Sequence, residues 1–114
     1  MNLNSGAPSF INCPIKSNTP NGIEIYASAA QFNGVTIENE TIGLEIELGL
    51  TEWYDSIISN CSNGGSILNM SLSDRFIDCS FTDNTANDGG GMNCFNGSPV
   101  LTGCIFENNT AKNE

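Results

Sequence analysis

Most of the charged side chains of this chain are carboxylates. There are 13 Asp and Glu against three bases, Lys16, Arg75 and Lys112, and there is no histidine. Without an imidazole, a nucleophile activated by a histidine base is excluded. Clustered Asp residues could break a glycosidic bond as acid and base. Asp74, Asp78, Asp83 and Asp88 lie close together around Arg75, but a spacing near five places them in loops or turn flanks rather than in one column. That is the pattern of solvated loop charge.

A second acidic set offers different chemistry. Glu24 and Glu45 each follow a glycine by two residues (Gly22, Gly43), and Glu47 lies two further on. Carboxylates stacked on neighbouring strands repel unless they spread into solvent or share a cation. No cofactor is expected; Glu24, Glu45 and Glu47 are the residues that would hold calcium if a cation binds. An EF-hand starting at Asp83 fails, because its twelfth position is Cys94 rather than Glu. Trp53 and Tyr54, if exposed together, would form a platform on which a sugar ring stacks; the other reading is that they cover the core's flank. Five cysteines without CxxC spacing or histidine do not make a zinc site, and their odd number prevents complete pairing within one chain.

The elements that carry these residues follow from a repeat. Cys79-Ser-Phe81-Thr-Asp-Asn84-Thr85-Ala86 returns 25 residues later as Cys104-Ile-Phe106-Glu-Asn-Asn109-Thr110-Ala111. A period in this range marks stacked repeats. Upstream, Ile15, Ile37 and Ile58 fall in the column of Phe81 and Phe106. Three residues on come Asn18, Glu40, Cys61, Asn84 and Asn109; then Thr19, Thr41, Ser62, Thr85 and Thr110. A glycine and a second apolar stretch follow, as in Leu44-Glu-Ile46-Glu-Leu48. Each unit reads as short strand, Asn/Thr turn, Gly, short strand and polar loop. Leu50 to Ile58 has room for a brief helical turn.

Strands this short, repeating at twenty-odd residues in fixed columns, stack as successive turns of one coil. Levels then lie about 4.8 Å apart, each touching only its neighbours. The Asn column supplies a residue that tolerates the left-handed bend and bonds its own backbone, and stacked amides can bond up the column. Cys13, Cys79 and Cys104 share an inward column beside Ile15, Phe81 and Phe106. There they read as small buried hydrophobes, with a Cys79–Cys104 disulfide the alternative. The expected fold is all-β: a parallel β-helix of about five rungs over 8–114, after a leader at 1–7.

Phe81-Thr-Asp-Asn84 and Phe106-Glu-Asn-Asn109 resemble the FxxN motif of polymorphic outer membrane protein repeats. Gly64-Gly65-Ser66-Ile67 and Gly89-Gly90-Gly91-Met92 resemble its partner Gly-Gly-Ala-Ile motif, departing from it at the third position or later. Matches are good over 57–111; the first units have Ile for Phe, and Glu40 interrupts the Asn column. The resemblance implies a right-handed, pectate-lyase-like β-helix in a surface or secreted protein, with an adhesin-type role.

A net charge of −10 argues against nucleic acid and anionic membranes, which attract basic patches. No run is long and apolar enough to span a membrane, and the first ten residues carry no secretory signal pattern. Neither end shows an obvious cap, so the expected partners are neighbouring rungs of a longer coil or another copy end to end. A carbohydrate or a host surface protein is the other expected partner, and the expected location is extracellular or at the cell surface. The functional expectation is a non-enzymatic scaffold or adhesin-type stalk, with a polysaccharide lyase or glycoside hydrolase fragment as the alternative.

Overall fold

The structure, a computed structural model, describes residues 2–16, 21–26, 29–47, 50–62, 65–68, 74–86, 90–95 and 98–112. Asn18, Thr19, Leu48, Gly64 and Gly89 of the repeat, and Asp88 of the acidic set, lie outside the described residues.

The chain winds through five levels. The first holds β1 (Asn2–Leu3), β2 (Ser9–Ile11) and β3 (Pro14–Lys16), and the second β4 (Asn21–Tyr26), β5 (Gln31–Asn33) and β6 (Thr36–Glu38). The third holds β7 (Ile42–Glu47), β8 (Glu52–Tyr54) and β9 (Ile57–Ser59). The fourth holds β10 (Gly65–Leu68), β11 (Arg75–Ile77), β12 (Ser80–Thr82) and β13 (Thr85–Ala86). The fifth holds β14 (Asn93–Phe95), β15 (Val100–Thr102), β16 (Ile105–Glu107) and β17 (Thr110–Ala111). Corresponding strands form three five-stranded parallel sheets, in the orders β1-β4-β7-β10-β14, β2-β5-β8-β11-β15 and β3-β6-β9-β12-β16, with β13 and β17 as a short fourth pair. This is a parallel β-helix. Its first strand already pairs with β4, Asn2 beside Glu24 and Leu3 beside Ile25. Residues 50–58 hold β8 and β9 and no helical turn.

The anchor column is in register throughout. Ile15 pairs with Ile37, Ile37 with Ile58, Ile58 with Phe81, and Phe81 with Phe106. Period-two alternation sends these side chains inward and their neighbours outward, and Ile37, Ile58 and Phe81 are fully buried. A second inward column runs beside it: Phe10, Phe32, Trp53 and Phe76 are paired in turn, with Leu101 at the far end. Its rings stack with centroids 5.1, 3.8 and 5.8 Å apart and planes within 15° of parallel. Phe76 then meets Phe81 edge-on at 5.6 Å, and Phe81 stacks on Phe106 at 4.8 Å. Aromatic pairs add about 0.5–1.5 kcal/mol each beyond their buried area, so this ladder stabilises the stacking of one level on the next.

Left-handed corners precede all five strands of the third sheet and follow β6, β9, β12 and β16. Asn12, Gly34, Asp55, Asp78 and Gly103 come before the strands, and Asn39, Asn60, Asp83 and Asn108 after them; all have φ between 47° and 65°. Asn and Asp tolerate this left-handed region and Gly enters it freely. Two columns of bends with a three-residue strand between them produce the spacing of five seen at Asp78 and Asp83. The bend thus lies one residue before the column that the repeat suggested.

Asn84 and Asn109 instead turn inward. Asn84 Oδ1 accepts from Cys61 N at 3.0 Å, and its Nδ2 donates to Ile58 O at 3.0 Å and to Asn109 Oδ1 at 3.1 Å. Asn109 Nδ2 donates to Phe81 O at 2.7 Å, and its Oδ1 also accepts from Asn84 N at 3.1 Å. Each amide therefore satisfies backbone groups of the level before it. The partner glycines follow from crowding: a Cβ on Gly91 would lie 2.9 Å from both Phe106 Cδ2 and Asn109 Nδ2. The Phe-x-x-Asn and Gly-Gly motifs are two sides of one contact.

Candidate functional site

The outer face of the first sheet gathers the acidic candidates. β4 and β7 are in register, so Glu24 stands beside Glu45 and Tyr26 beside Glu47. With Asn2 and Asn4 from the first level they line a cleft of about 190 Å³. Partial burial, and then the charges of Glu24 and Glu47, push the Glu45 carboxyl above its ordinary range. The half-exposed ring of Tyr26 closes one side. The cleft offers carboxylate oxygens, side-chain amides and a phenol, a set suited to cations or to hydroxyl-rich ligands. Among the described residues no group of three or more His, Cys, Asp or Glu is arranged to hold a metal ion.

The second sheet separates the aromatic candidates. Trp53 has no exposed surface; its ring lies between Phe32 and Phe76, and its Nε1 donates to Thr51 Oγ1 at 2.8 Å. It cannot serve as an exposed platform, because period two turns it inward while Tyr54 turns outward. Tyr54 belongs to a polar strip. Its hydroxyl donates to Glu52 Oε2 at 2.8 Å, Arg75 Nη1 lies 3.3 Å from the same oxygen, and Gln31 Nε2 donates to Glu52 Oε1 at 3.2 Å. The bond to Glu52 holds the Tyr54 hydroxyl protonated above its usual range.

Asp74, one of the acids around Arg75, is buried rather than a solvated loop charge. It is 3% exposed, and its Oδ1 accepts from Thr51 N at 2.9 Å and Thr51 Oγ1 at 2.7 Å. Together with Trp53 this makes a relay from indole to hydroxyl to carboxylate. Burial pushes the Asp74 carboxyl up, opposed by the two Thr51 bonds. The available signal was the spacing of Thr51-x-Trp53 and Asp74-x-Phe76 at 23 residues, the same step as the anchor column. Asp78 and Asp83, by contrast, are exposed corners.

All five cysteines are free thiols. Cys79 is buried and its thiol is pushed up to about 11, mainly by desolvation. Cys104, one level on, donates to Phe76 O at 3.2 Å. Among the described residues no helix is long and apolar enough to cross a membrane.

Parallel strands in continuous register, inward hydrophobic columns and glycines packed against Phe-x-x-Asn set the fold. The right handed beta helix region family matches residues 2–113. The chain belongs to this family. The coil is accordingly a right-handed parallel β-helix. No curated protein matches it.

Proposed function

We propose that this right-handed β-helix is a non-enzymatic segment of a surface or secreted protein, serving as scaffold or adhesin-type stalk like the polymorphic outer membrane protein repeats it resembles. Carbohydrate or a host surface protein is the partner such a stalk would meet. The observation that supports this reading is the employment of the carboxylates around Arg75. Asp55, Asp78 and Asp83 form left-handed corners. Asp74 is bonded to Thr51 inside the coil, and Glu52 holds Arg75. Each shapes the coil, and function on this fold resides in sites added to it.

One observation favours a second reading, a polysaccharide lyase or glycoside hydrolase segment. Glu24, Glu45 and Glu47 converge on one cleft, and the Glu45 carboxyl is shifted upward, the direction a general acid requires. Incubation with pectin, polygalacturonate and alginate, with and without calcium, separates the two. The scaffold reading predicts no reducing ends and no unsaturated product. Turnover abolished by Glu45→Gln, Asp78→Ala or Arg75→Ala would establish the enzyme instead.

A further inference from the structure

Three of the left-handed corners carry a pattern beyond their bend. Asn39-Glu-Thr41, Asn60-Cys-Ser62 and Asn108-Asn-Thr110 each read Asn-x-Ser/Thr, the acceptor pattern for an N-linked glycan. All three asparagines belong to the corner column that follows the third sheet, with φ of 60°, 52° and 57°. Asn69 and Asn96 begin the same pattern outside the described residues.

The turn of the coil puts the acceptor amide and its hydroxyl outside together. Asn39 and Thr41, Asn60 and Ser62, and Asn108 and Thr110 are all exposed. The residue between them goes inward: Glu40 and Cys61 are buried, and Asn109 Nδ2 donates to Phe81 O. The main chain of the corner is engaged by the neighbouring level, Asn39 N donating to Ser59 O at 3.3 Å and Asn60 N to Thr82 O at 3.1 Å, so the side-chain amide is what the corner presents. Where two acceptors stand one level apart, Asn60 Nδ2 donates to Asn39 Oδ1. An amide nitrogen that carries a sugar keeps one N–H, so this bond is compatible with a glycan. Asp83 holds the same corner on the fourth level with φ of 56°, which shows that the bend itself does not need an amide.

We propose that this corner column is an N-glycosylation surface, on which Asn39, Asn60 and Asn108 accept glycan from a lipid-pyrophosphate-linked oligosaccharide and carry it in a row along one edge of the coil. The proposal rests on the surface or secreted reading, because donor and transferase lie on the secretory route. In the transfer, the Asn Nδ2 forms a bond to C1 of the first sugar while the bond from C1 to the pyrophosphate oxygen breaks. The lipid pyrophosphate leaves with the electron pair, and the amide gives up one proton. A glycan added here is bulky and solvated, and at these corners it meets water rather than the inward columns.

Expression of the 114-residue chain behind a cleavable secretory signal in a secreting eukaryotic cell tests this. Enzymatic release of N-glycans in heavy-oxygen water converts each occupied Asn to a labelled Asp, and peptide mass mapping reads every site separately, Asn69 and Asn96 included. The expected result is label at Asn39, Asn60 and Asn108, lost site by site in Asn39→Asp, Asn60→Asp and Asn108→Asp. These variants, like the released chain, keep the bend, as Asp83 does. Far-UV circular dichroism should therefore show the same β signal before and after release, with thermal midpoints within about 3 °C of each other. Absence of label at any of the three sites would overturn the column. So would a larger shift of the midpoint on release, which would mean that the glycan presses on the coil. The added signal brings the chain to the transferase whatever its natural location, so an unlabelled column refutes the glycosylation surface and leaves the surface or secreted reading standing.

Discussion

Asn84 and Asn109 stand one above the other, and the Oδ1 of Asn109 accepts from both the backbone N and the Nδ2 of Asn84, each at 3.1 Å. Asn84 has no exposed surface, so it is a buried amide whose every bond lies within the coil. Asn84→Ala should orphan Cys61 N and Ile58 O and cost at least about 1–3 kcal/mol. Asn109→Ala, at the more open end, should cost less. Chemical denaturation of both variants measures the order; equal or reversed costs would place the ladder's weight elsewhere.

Asp74 should give a pH signature. Its folded-state carboxyl is raised above the ordinary 3.8, so its contribution to stability is fully present below 3.8 and is lost as pH rises through the folded value. Asp74→Asn keeps an oxygen to accept from Thr51 while removing the charge. Relative to wild type, the variant should gain stability above that window and lose part of the pH slope. Thermal unfolding between pH 3 and pH 8 reads the difference; superimposed slopes would contradict a buried, raised Asp74.

The acidic cleft makes a parallel case on the surface. Glu45 is raised above 4.5 by partial burial, Glu24 and Glu47, so its contribution likewise declines as pH rises through the folded value. Glu45→Gln should stabilise the protein at pH 7 and have little effect at pH 3. If calcium bridges Glu24, Glu45 and Glu47, millimolar calcium should raise the wild-type midpoint and leave that of Glu45→Gln unchanged. An identical rise in both would place calcium elsewhere.

The thiols should divide by burial. Cys61 and Cys79 are 2% exposed, and desolvation raises both thiols, Cys79 to about 11. Thiolate is the reactive form, so an aromatic disulfide reagent at pH 8 should label these two only on unfolding. Cys94, whose thiol is also raised but which lies on the surface, and the half-buried Cys13 and Cys104 should react first because the reagent reaches them. Five equal rates would mean the core columns are open.

The anchor column was readable because Ile15, Ile37, Ile58, Phe81 and Phe106 keep one apolar character through steps of 22, 21, 23 and 25 residues. The aromatic column keeps the same steps from Phe10 to Leu101, yet it was harder to see because its neighbours carry no motif. Trp53 illustrates the cost: next to Tyr54 it reads as half of a platform, and only the phase of that column shows the two rings on opposite faces. The corners were displaced by one residue because Asn suits both a left-handed bend and an inward amide ladder. Residue type cannot separate these roles; the backbone direction at Asp83 and Asn108 does. Asp74 was unreadable as a buried acid because its acceptor role depends on Thr51, a full turn away.

The central claim is that residues one turn apart lie side by side on parallel strands. Nuclear Overhauser contacts in isotopically labelled protein test it most directly. The structure predicts contacts from the Phe81 ring to Ile58 and to Phe106, from Phe32 to Trp53, and between the Glu24 and Glu45 strands in the parallel pattern. Antiparallel contacts between strands adjacent in sequence, such as β8 with β9, or Phe81 and Phe106 on opposite faces, would contradict it.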